Sequence, residues 1–310
     1  MNETALPSPI FITGATGFIG RPLTQRLLEA GVDVAALVLP GERDGLPEGA
    51  RSFGGDITAA AAVRAALDES RPAALLHLAA VGITQPGLPA AEALRVNVGG
   101  TLALLDAARA VGSVRRMVLV GSSYEYGARR CDEGLDPFNS YSASKVAAWA
   151  FARAAYNAWR APIVWMRPFQ VYGPGQRPQA LIPAAIRAAL SGADFRMTAG
   201  AQQRDFIFVA DVVAGLIAAL TAPQSQIQGQ ALDLGTGTLR SIHEVVARIW
   251  ALTEARGQML AGAIPYRPGE VSAIPADAGR TRRLLDWEAK TSLADGLRQT
   301  IGAYQNPCEG

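Results

Sequence analysis

The sequence predicts an α/β protein, a doubly wound parallel sheet followed by a smaller C-terminal α/β domain. Three observations predict it. Short apolar runs alternate with helical patterns through the first half of the chain. A glycine-rich turn joins the first strand to the first helix. The chain has 310 residues, 49% of them hydrophobic, enough for about two domains without disulfides or metals.

Ile10-Phe11-Ile12-Thr13 reads as a buried strand, and residues 21–30 as a helix with Leu23, Leu27 and Leu28 on one face. Residues 34–39 are a second strand, and a short third strand precedes Gly55-Asp56-Ile57. A helix is expected at 59–67, a strand at 73–78, a long helix at 91–110, a strand at 117–120, a helix at 140–159 and a strand at 163–166. Strands separated by helices cannot pair as hairpins, so they form a parallel sheet covered on both faces. The alternation weakens after Arg167. Residues 173–178 form a loop, helices are expected at 180–190, 211–220, 242–253 and 293–304, and one strand at 232–234. The expected division is a first domain at residues 1–168, with returning segments from about 205–236, and a smaller one at 169–310.

Composition narrows the function. The chain has 29 basic and 27 acidic residues, a balance that excludes general nucleic-acid binding. No apolar run reaches the ~18 residues of a membrane-spanning helix. Met1-Asn2-Glu3-Thr4 lacks the basic start and apolar stretch of a secretory signal. Cys131 and Cys308 show no metal-ligand spacing, so no metal is expected, and a cytoplasmic location is. Only two of the 29 basic residues are lysines, Lys145 and Lys290. Where arginine serves almost everywhere, a persisting lysine points to a task that a guanidinium cannot do.

Thr13-Gly14-Ala15-Thr16-Gly17-Phe18-Ile19-Gly20 follows the first strand and opens the first helix. Glycines at 14, 17 and 20 remove side chains where the backbone turns, meets a pyrophosphate and packs helix on strand. The helix N-terminus adds unpaired N–H groups and partial positive charge. This is a Rossmann-type dinucleotide signature. The second strand ends Leu37-Val38-Leu39-Pro40 without the acid that accepts the adenosine ribose hydroxyls of NAD, and Arg43 follows. Arg43 could meet a 2′-phosphate, so the cofactor expectation leans to NADP over NAD. Asp56 could accept the adenine amino group or cap the next helix.

Tyr141-Ser142-Ala143-Ser144-Lys145 lies at the start of a helix. A spacing of four puts the phenol and the ammonium on one face. A neighbouring cation favours the phenolate, so Tyr141 is expected to have a lowered pKa and to exchange a proton with a substrate oxygen. Lys145 would tune it and hold the nicotinamide ribose. Val118-Leu119-Val120-Gly121-Ser122-Ser123 is a strand ending in hydroxyls at its carboxyl end, where open parallel sheets bind ligands. Ser122 or Ser123 could hold the reacting oxygen.

With these motifs the chain resembles the extended short-chain dehydrogenase/reductase family, the nucleotide-sugar epimerase, dehydratase and reductase group of the UDP-galactose 4-epimerase type. The resemblance runs nearly end to end. It includes His77-Leu78-Ala79-Ala80, Asn97-Val98-Gly99-Gly100-Thr101, Ser122-Ser123-Tyr124-Glu125-Tyr126-Gly127, Arg167-Pro168-Phe169-Gln170, Arg204-Asp205-Phe206 and Arg267-Pro268-Gly269-Glu270. It implies that Thr16, Phe18, Ile19, Ile57, Leu78, Ala79, Ala80, Asn97 and Pro168 line the cofactor cleft. It implies substrate contacts at Tyr124, Gln170, Leu181, Arg204 and Arg267, the two arginines on the diphosphate. His77 is then structural and His243 a helix-surface residue. The resemblance also implies a homodimer through the helices at 91–110 and 140–159, although outer-face residues such as Trp149 serve equally as monomer core.

Departures from the family pattern shape the functional expectation. Related 4,6-dehydratases carry acids where this chain has Ser123 and Tyr124, so dehydration is disfavoured. Glu125 falls one position later and would restore it only by facing the sugar. Gln170 replaces a common asparagine. The leading expectation is an NAD(P)-dependent ketoreductase of a nucleotide-linked 4-keto-6-deoxyhexose. The alternative is a nucleotide-sugar 4-epimerase that retains NAD, and the remote one a non-catalytic NAD(P)-sensing protein.

Overall fold

The computed structural model describes residues 5–82, 87–127, 129, 132–266 and 274–305. The chain runs β1 (Ile10–Thr13), α1 (Gly20–Glu29), β2 (Val34–Val38), β3 (Arg51–Gly54), α2 (Ala60–Ser70), β4 (Ala74–His77), α3 (Ala90–Ala93), α4 (Gly100–Val111), β5 (Arg116–Val120), α5 (Ser140–Trp159) and β6 (Ile163–Pro168). It continues through β7 (Gln170–Tyr172), α6 (Leu181–Ser191), β8 (Phe195–Met197), β9 (Gln203–Phe208), α7 (Val209–Thr221), α8 (Gln224–Ile227) and β10 (Ala231–Leu234). It ends with β11 (Leu239–Ser241), α9 (Ile242–Thr253), β12 (Met259–Ala261), α10 (Ala278–Leu285) and α11 (Leu293–Gln305).

Seven strands form one parallel sheet in the order β3-β2-β1-β4-β5-β6-β10. Alternation along the strands sorts the side chains onto two faces. Ile10, Ile12, Leu76, Val118 and Met166 meet Leu23 and Leu27 of α1 and Val212 and Leu216 of α7. Phe11, Leu75, Leu119 and Trp165 meet Val63 and Leu67 of α2, Leu104 of α4, and Ala148 and Ala152 of α5. This two-sided burial explains the unbroken apolar runs that marked these strands in the sequence. From β3 the chain crosses to the other side of β1 to form β4. The crevice at the carboxyl ends of β1 and β4 is therefore the switch point at which such sheets bind ligands.

A second region is built on the sheet β11-β9-β7 and the pair β12-β8. Its core joins Tyr172, Ile182, Ile186, Phe206, Phe208, Val246 and Leu297, and Phe18 and Ile19 of the glycine turn pack against it. The glycine turn is thereby held between the two cores.

The long helix expected at 91–110 is interrupted. A π-helical turn at Leu94–Gly99 separates α3 from α4. Strands β7, β8, β9, β11 and β12 had no counterpart among the expected elements. Among the described residues, no helix is long and apolar enough to cross a membrane, and no cluster of acidic, histidine or cysteine side chains is arranged to hold a metal ion.

Candidate active site

Gly14 lies at φ +74, and a Cβ there would sit 2.7 Å from the Ala79 nitrogen and 2.9 Å from the Leu78 carbonyl carbon. The loops after β1 and β4 touch at this glycine, so a side chain is excluded by backbone atoms that cannot rotate away. A Cβ on Gly20 would collide with the Gly14 carbonyl oxygen. No side chain caps the start of α1, and Gly17 is exposed. The Arg21 and Leu23 amides already donate to the Gly17 and Ile19 carbonyls and Pro22 has none, so the glycine turn itself, rather than the helix that follows, has the form of a cradle for a pyrophosphate.

The adenosine end differs from the sequence expectation. Thr16 Oγ1 donates to the Glu42 carboxylate at 3.1 Å, which puts an acid beside the glycine turn four residues past the end of β2. Arg43 lines a groove of about 460 Å³ with Leu46, Glu48, Arg51, Phe53 and Glu69. Asp56 accepts from the Thr58 amide at 2.8 Å, and this bond holds its carboxyl below the usual range. It is not the cap of α2, which starts after Ala59. Ile57 packs on Gly100, where a Cβ would lie 2.9 Å from its Cγ1.

The loop after β4 links this turn to the reactive side chains. Leu78 N–H donates to the Thr13 carbonyl at 3.0 Å and Ala79 N–H to Thr13 Oγ1 at 3.4 Å. Ala80 is exposed. Val81 is gripped by Asn97: its amide donates to Asn97 Oδ1 at 2.9 Å, and Asn97 Nδ2 donates to its carbonyl at 3.0 Å and to Ser144 Oγ at 2.8 Å. The π-helical turn presents Asn97 for this clamp, as such turns often do at functional sites. At Gly82 a Cβ would approach Tyr141 Cβ to 3.3 Å. Five consecutive residues thus run from the glycine turn to Tyr141.

Asn139 caps α5 by accepting from the Ser142 amide at 2.8 Å. The buried face of the helix carries Tyr141, Lys145, Ala148 and Ala152, so the spacing of four does place Tyr141 and Lys145 together. Burial pushes the Tyr141 phenol well above its ordinary value, against a hydrogen bond from Ser122 that lowers it. The lowered pKa expected from the spacing is not found: desolvation, with the Glu125 and Tyr124 charges, outweighs the bond from Ser122. Burial also pulls the Lys145 ammonium down to about 8, with the Glu125 charge opposing. Lys145 Nζ donates to the Val120 carbonyl at 2.9 Å. Ser122, at the end of β5, is the hydroxyl that meets Tyr141, while Ser123 and Tyr124 are half-buried beside it. The Tyr124 ring stands edge-on to Tyr141 at 6.3 Å and packs on Phe138 at 5.5 Å.

The remaining described sequence candidates sit on β6, β7, α6 and β9. Pro168 ends β6 opposite Leu234, Gln170 pairs with Phe206 and Leu181 opens α6. Arg204 on β9 donates to the Gln203 carbonyl at 2.7 Å. Arg267 lies outside the described residues. His77 is clamped between Thr13 Oγ1 at 2.6 Å and Thr101 Oγ1 at 3.1 Å, and burial holds its pKa at about 3. It is a neutral hydrogen-bonded strand-end residue, and His243 is exposed on α9. Glu125 is fully buried and turned into Trp165 and Arg167. Sequence reasoning missed Glu42, because it looked for the acid at the strand end. It also missed Asp205 on β9, which accepts from Thr236 and Gly237 in one loop and from Ala276 in another and so ties two loops to the strand. The signal for Asp205 was its place inside the Arg204-Asp205-Phe206 motif.

The model of the NAD dependent epimerase/dehydratase family matches residues 10–235. The chain is 31% identical to dTDP-glucose 4,6-dehydratase of Neisseria gonorrhoeae, over 95% of each chain. It is 30% identical to UDP-glucose 4-epimerase of Mycolicibacterium smegmatis, over 95% of this chain and 98% of that one. The solved structure of MoeE5 in complex with UDP-glucuronic acid and NAD superposes with a TM-score of 0.85 at 32% identity, covering 96% of this chain and 99% of that one.

Proposed function

The chain belongs to the NAD dependent epimerase/dehydratase family, and from that premise we propose that it oxidises and re-reduces a hydroxyl of a nucleotide-linked hexose at the Ser122–Tyr141–Lys145 site, as a 4-epimerase that retains NAD. The observation that carries this reading is the continuity of the site: the loop from Leu78 to Gly82 joins the glycine turn to Tyr141. NAD, when bound, would supply the hydride acceptor and donor. Tyr141 takes the hydroxyl proton as the hydride leaves carbon 4, and gives it back to the ketone oxygen when hydride returns to the opposite face of the sugar. Ser122, with Ser123 beside it, holds that oxygen. Lys145 holds the nicotinamide ribose and supports the phenolate. The glycine turn with Thr16, Phe18 and Ile19 takes the pyrophosphate, and Asp56 and Ile57 face the adenine. Ala79, Ala80 and Pro168 line the cleft. Asn97 acts through Val81. Tyr124, Gln170, Leu181, Arg204 and Arg267 take the nucleotide sugar.

Reduction of a 4-keto-6-deoxyhexose would use the same groups, and the cofactor separates the two. Glu42 beside Thr16 supports NAD, because a carboxylate accepts from ribose hydroxyls and repels a 2′-phosphate. The NADP preference read from Arg43 is therefore set aside in favour of NAD. Dehydration is disfavoured by Ser123 and Tyr124 and by the burial of Glu125. The division near residue 168, a cytoplasmic location and a homodimer belong to the same reading. Exposed Phe151 and half-exposed Leu102 and Ala103 support pairing through α4 and α5, whereas Trp149 packs inward on Trp165 at 5.6 Å. The test is to purify the protein without added cofactor, denature it, and identify released nicotinamide by mass spectrometry. Near-stoichiometric NAD supports the epimerase. An empty protein that binds NADPH more tightly than NADH overturns it in favour of the reductase.

A further inference from the structure

Glu125 has no exposed surface, and every bond it makes is inside the protein. Its Oε1 accepts from the Ser122 N–H at 2.9 Å and from Trp165 Nε1 at 3.0 Å, and its Oε2 accepts from Arg167 Nε at 2.7 Å. Arg167 continues outward: Nη1 donates to the Tyr126 hydroxyl at 3.1 Å, and that hydroxyl donates to Asp233 on β10 at 2.8 Å. The guanidinium also lies over the rings of Tyr126 and Trp149. Gly121 makes the arrangement possible, since a Cβ there would fall on both Glu125 Oε1 and Trp165 Nε1. Apolar residues of similar volume stabilise a core as well as a buried ion pair does. The pair therefore invites an explanation in terms of what it holds in place.

We propose that Glu125 is a positioning residue for the catalytic constellation: it clamps the Ser122 backbone so that the hydroxyl meets Tyr141, two residues along from the Val120 carbonyl to which Lys145 donates. The inference takes its functional meaning from the site proposed above. Around Lys145 stand the Val120 carbonyl, neutral His77 on β4 and Tyr141 one turn back on its own buried helix face. Around Glu125 stand Arg167 on β6, Tyr126 and Asp233. Of these groups Glu125 is the anion that acts on Lys145 against the pull of burial. The same charge raises the Tyr141 phenol.

The chain allows a direct test, because it has only two lysines, Lys145 and Lys290. Full-length protein is grown with lysine carrying carbon-13 at the ε position, and the two signals are followed by NMR against pH, with Lys290→Arg assigning them. Glu125→Gln keeps an oxygen for Ser122 and Trp165 but removes the charge. Lys145 is expected to titrate at lower pH in Glu125→Gln, with Lys290 unmoved. If loss of the carboxylate beside Arg167 unfolds that variant, Glu125→Gln combined with Arg167→Met is read in its place, against Arg167→Met alone, since the double change also removes a cation. An unchanged Lys145 midpoint in whichever of these folds overturns the charge role. For the clamp, Glu125→Val combined with Arg167→Met should speed hydrogen exchange of the Ser122 amide by about tenfold, the loss of one charge-assisted bond. Unchanged exchange overturns it. Neither measurement uses substrate, so both stand apart from whether Tyr141 carries the chemistry.

Discussion

Replacing Asn97 with alanine removes three hydrogen bonds at once, two to Val81 and one to Ser144. Asn97 is 1% exposed, so water does not take its place. Each such bond has a net worth of about 1 kcal/mol, and an orphaned buried partner costs more. Val81 is half-exposed and recovers some hydration, and Ser144 keeps its bond to the Tyr141 carbonyl at 2.7 Å. The expected loss is therefore about 2–3 kcal/mol rather than the larger figure for three fully buried orphans. Urea unfolding should show a lower midpoint with an unchanged slope, and the melting temperature should fall by about 5 °C. Nicotinamide affinity should fall as well, because the loop from Leu78 to Gly82 loses its anchor to α5. Asn97→Asp tests the geometry further: it keeps the bond from the Val81 amide but turns an acceptor toward the Val81 carbonyl. A loss under about 0.5 kcal/mol in Asn97→Ala, the range of ordinary surface substitutions, would refute the clamp.

Tyr141→Phe should lower turnover by about 100-fold or more while leaving NAD bound; full activity would remove Tyr141 from the proposed chemistry. His77 gives the protein an acid sensitivity. Its folded pKa of about 3 lies below its unfolded value of 6.5, so the unfolded state binds the extra proton and stability falls as pH drops through that window. Between pH 7 and pH 5 the wild type should lose about 2 kcal/mol more than His77→Asn in urea titrations, and equal losses would show that the ring is not held neutral. Glu42→Ser should raise NADPH affinity relative to NADH, measured by fluorescence titration. An unchanged ratio would place the ribose contact elsewhere.

Much of the sheet was legible because it is buried on both sides. Ile10–Thr13, Ala74–His77 and Ile163–Pro168 are apolar at nearly every position, and two-sided burial demands that. Helix α5 was legible from its start to its end, since Asn139 caps it and its apolar spacing never breaks. Strand β9 was not legible, because its partners are β7 and β11 and their pairing is made only in the folded chain. The π-helical turn was hidden for a related reason: Leu94–Gly99 has the composition of ordinary helix, and the demand on Asn97 comes from Val81 and Ser144. Within the site, Tyr141 and Lys145 declared themselves by a spacing that a helix converts into proximity. Glu42 did not, because a loop of free length carries it back to Thr16.

Local rules reach as far as a turn of helix or a pair of alternating side chains. By itself the sequence therefore determined the α/β class, the glycine turn, and the pairing of Tyr141 with Lys145 on one helix face. Burial and cross-chain contacts obey no local rule, and the tertiary structure alone decided what depends on them. It made Tyr141 harder to ionise where the sequence argued the reverse, because burial strips the phenolate of water and outweighs the bond from Ser122. It turned Glu125 inward to meet Arg167 from a strand 42 positions away in the chain. It also set an acid, Glu42, against the glycine turn 26 residues before it, where the end of β2 offered none.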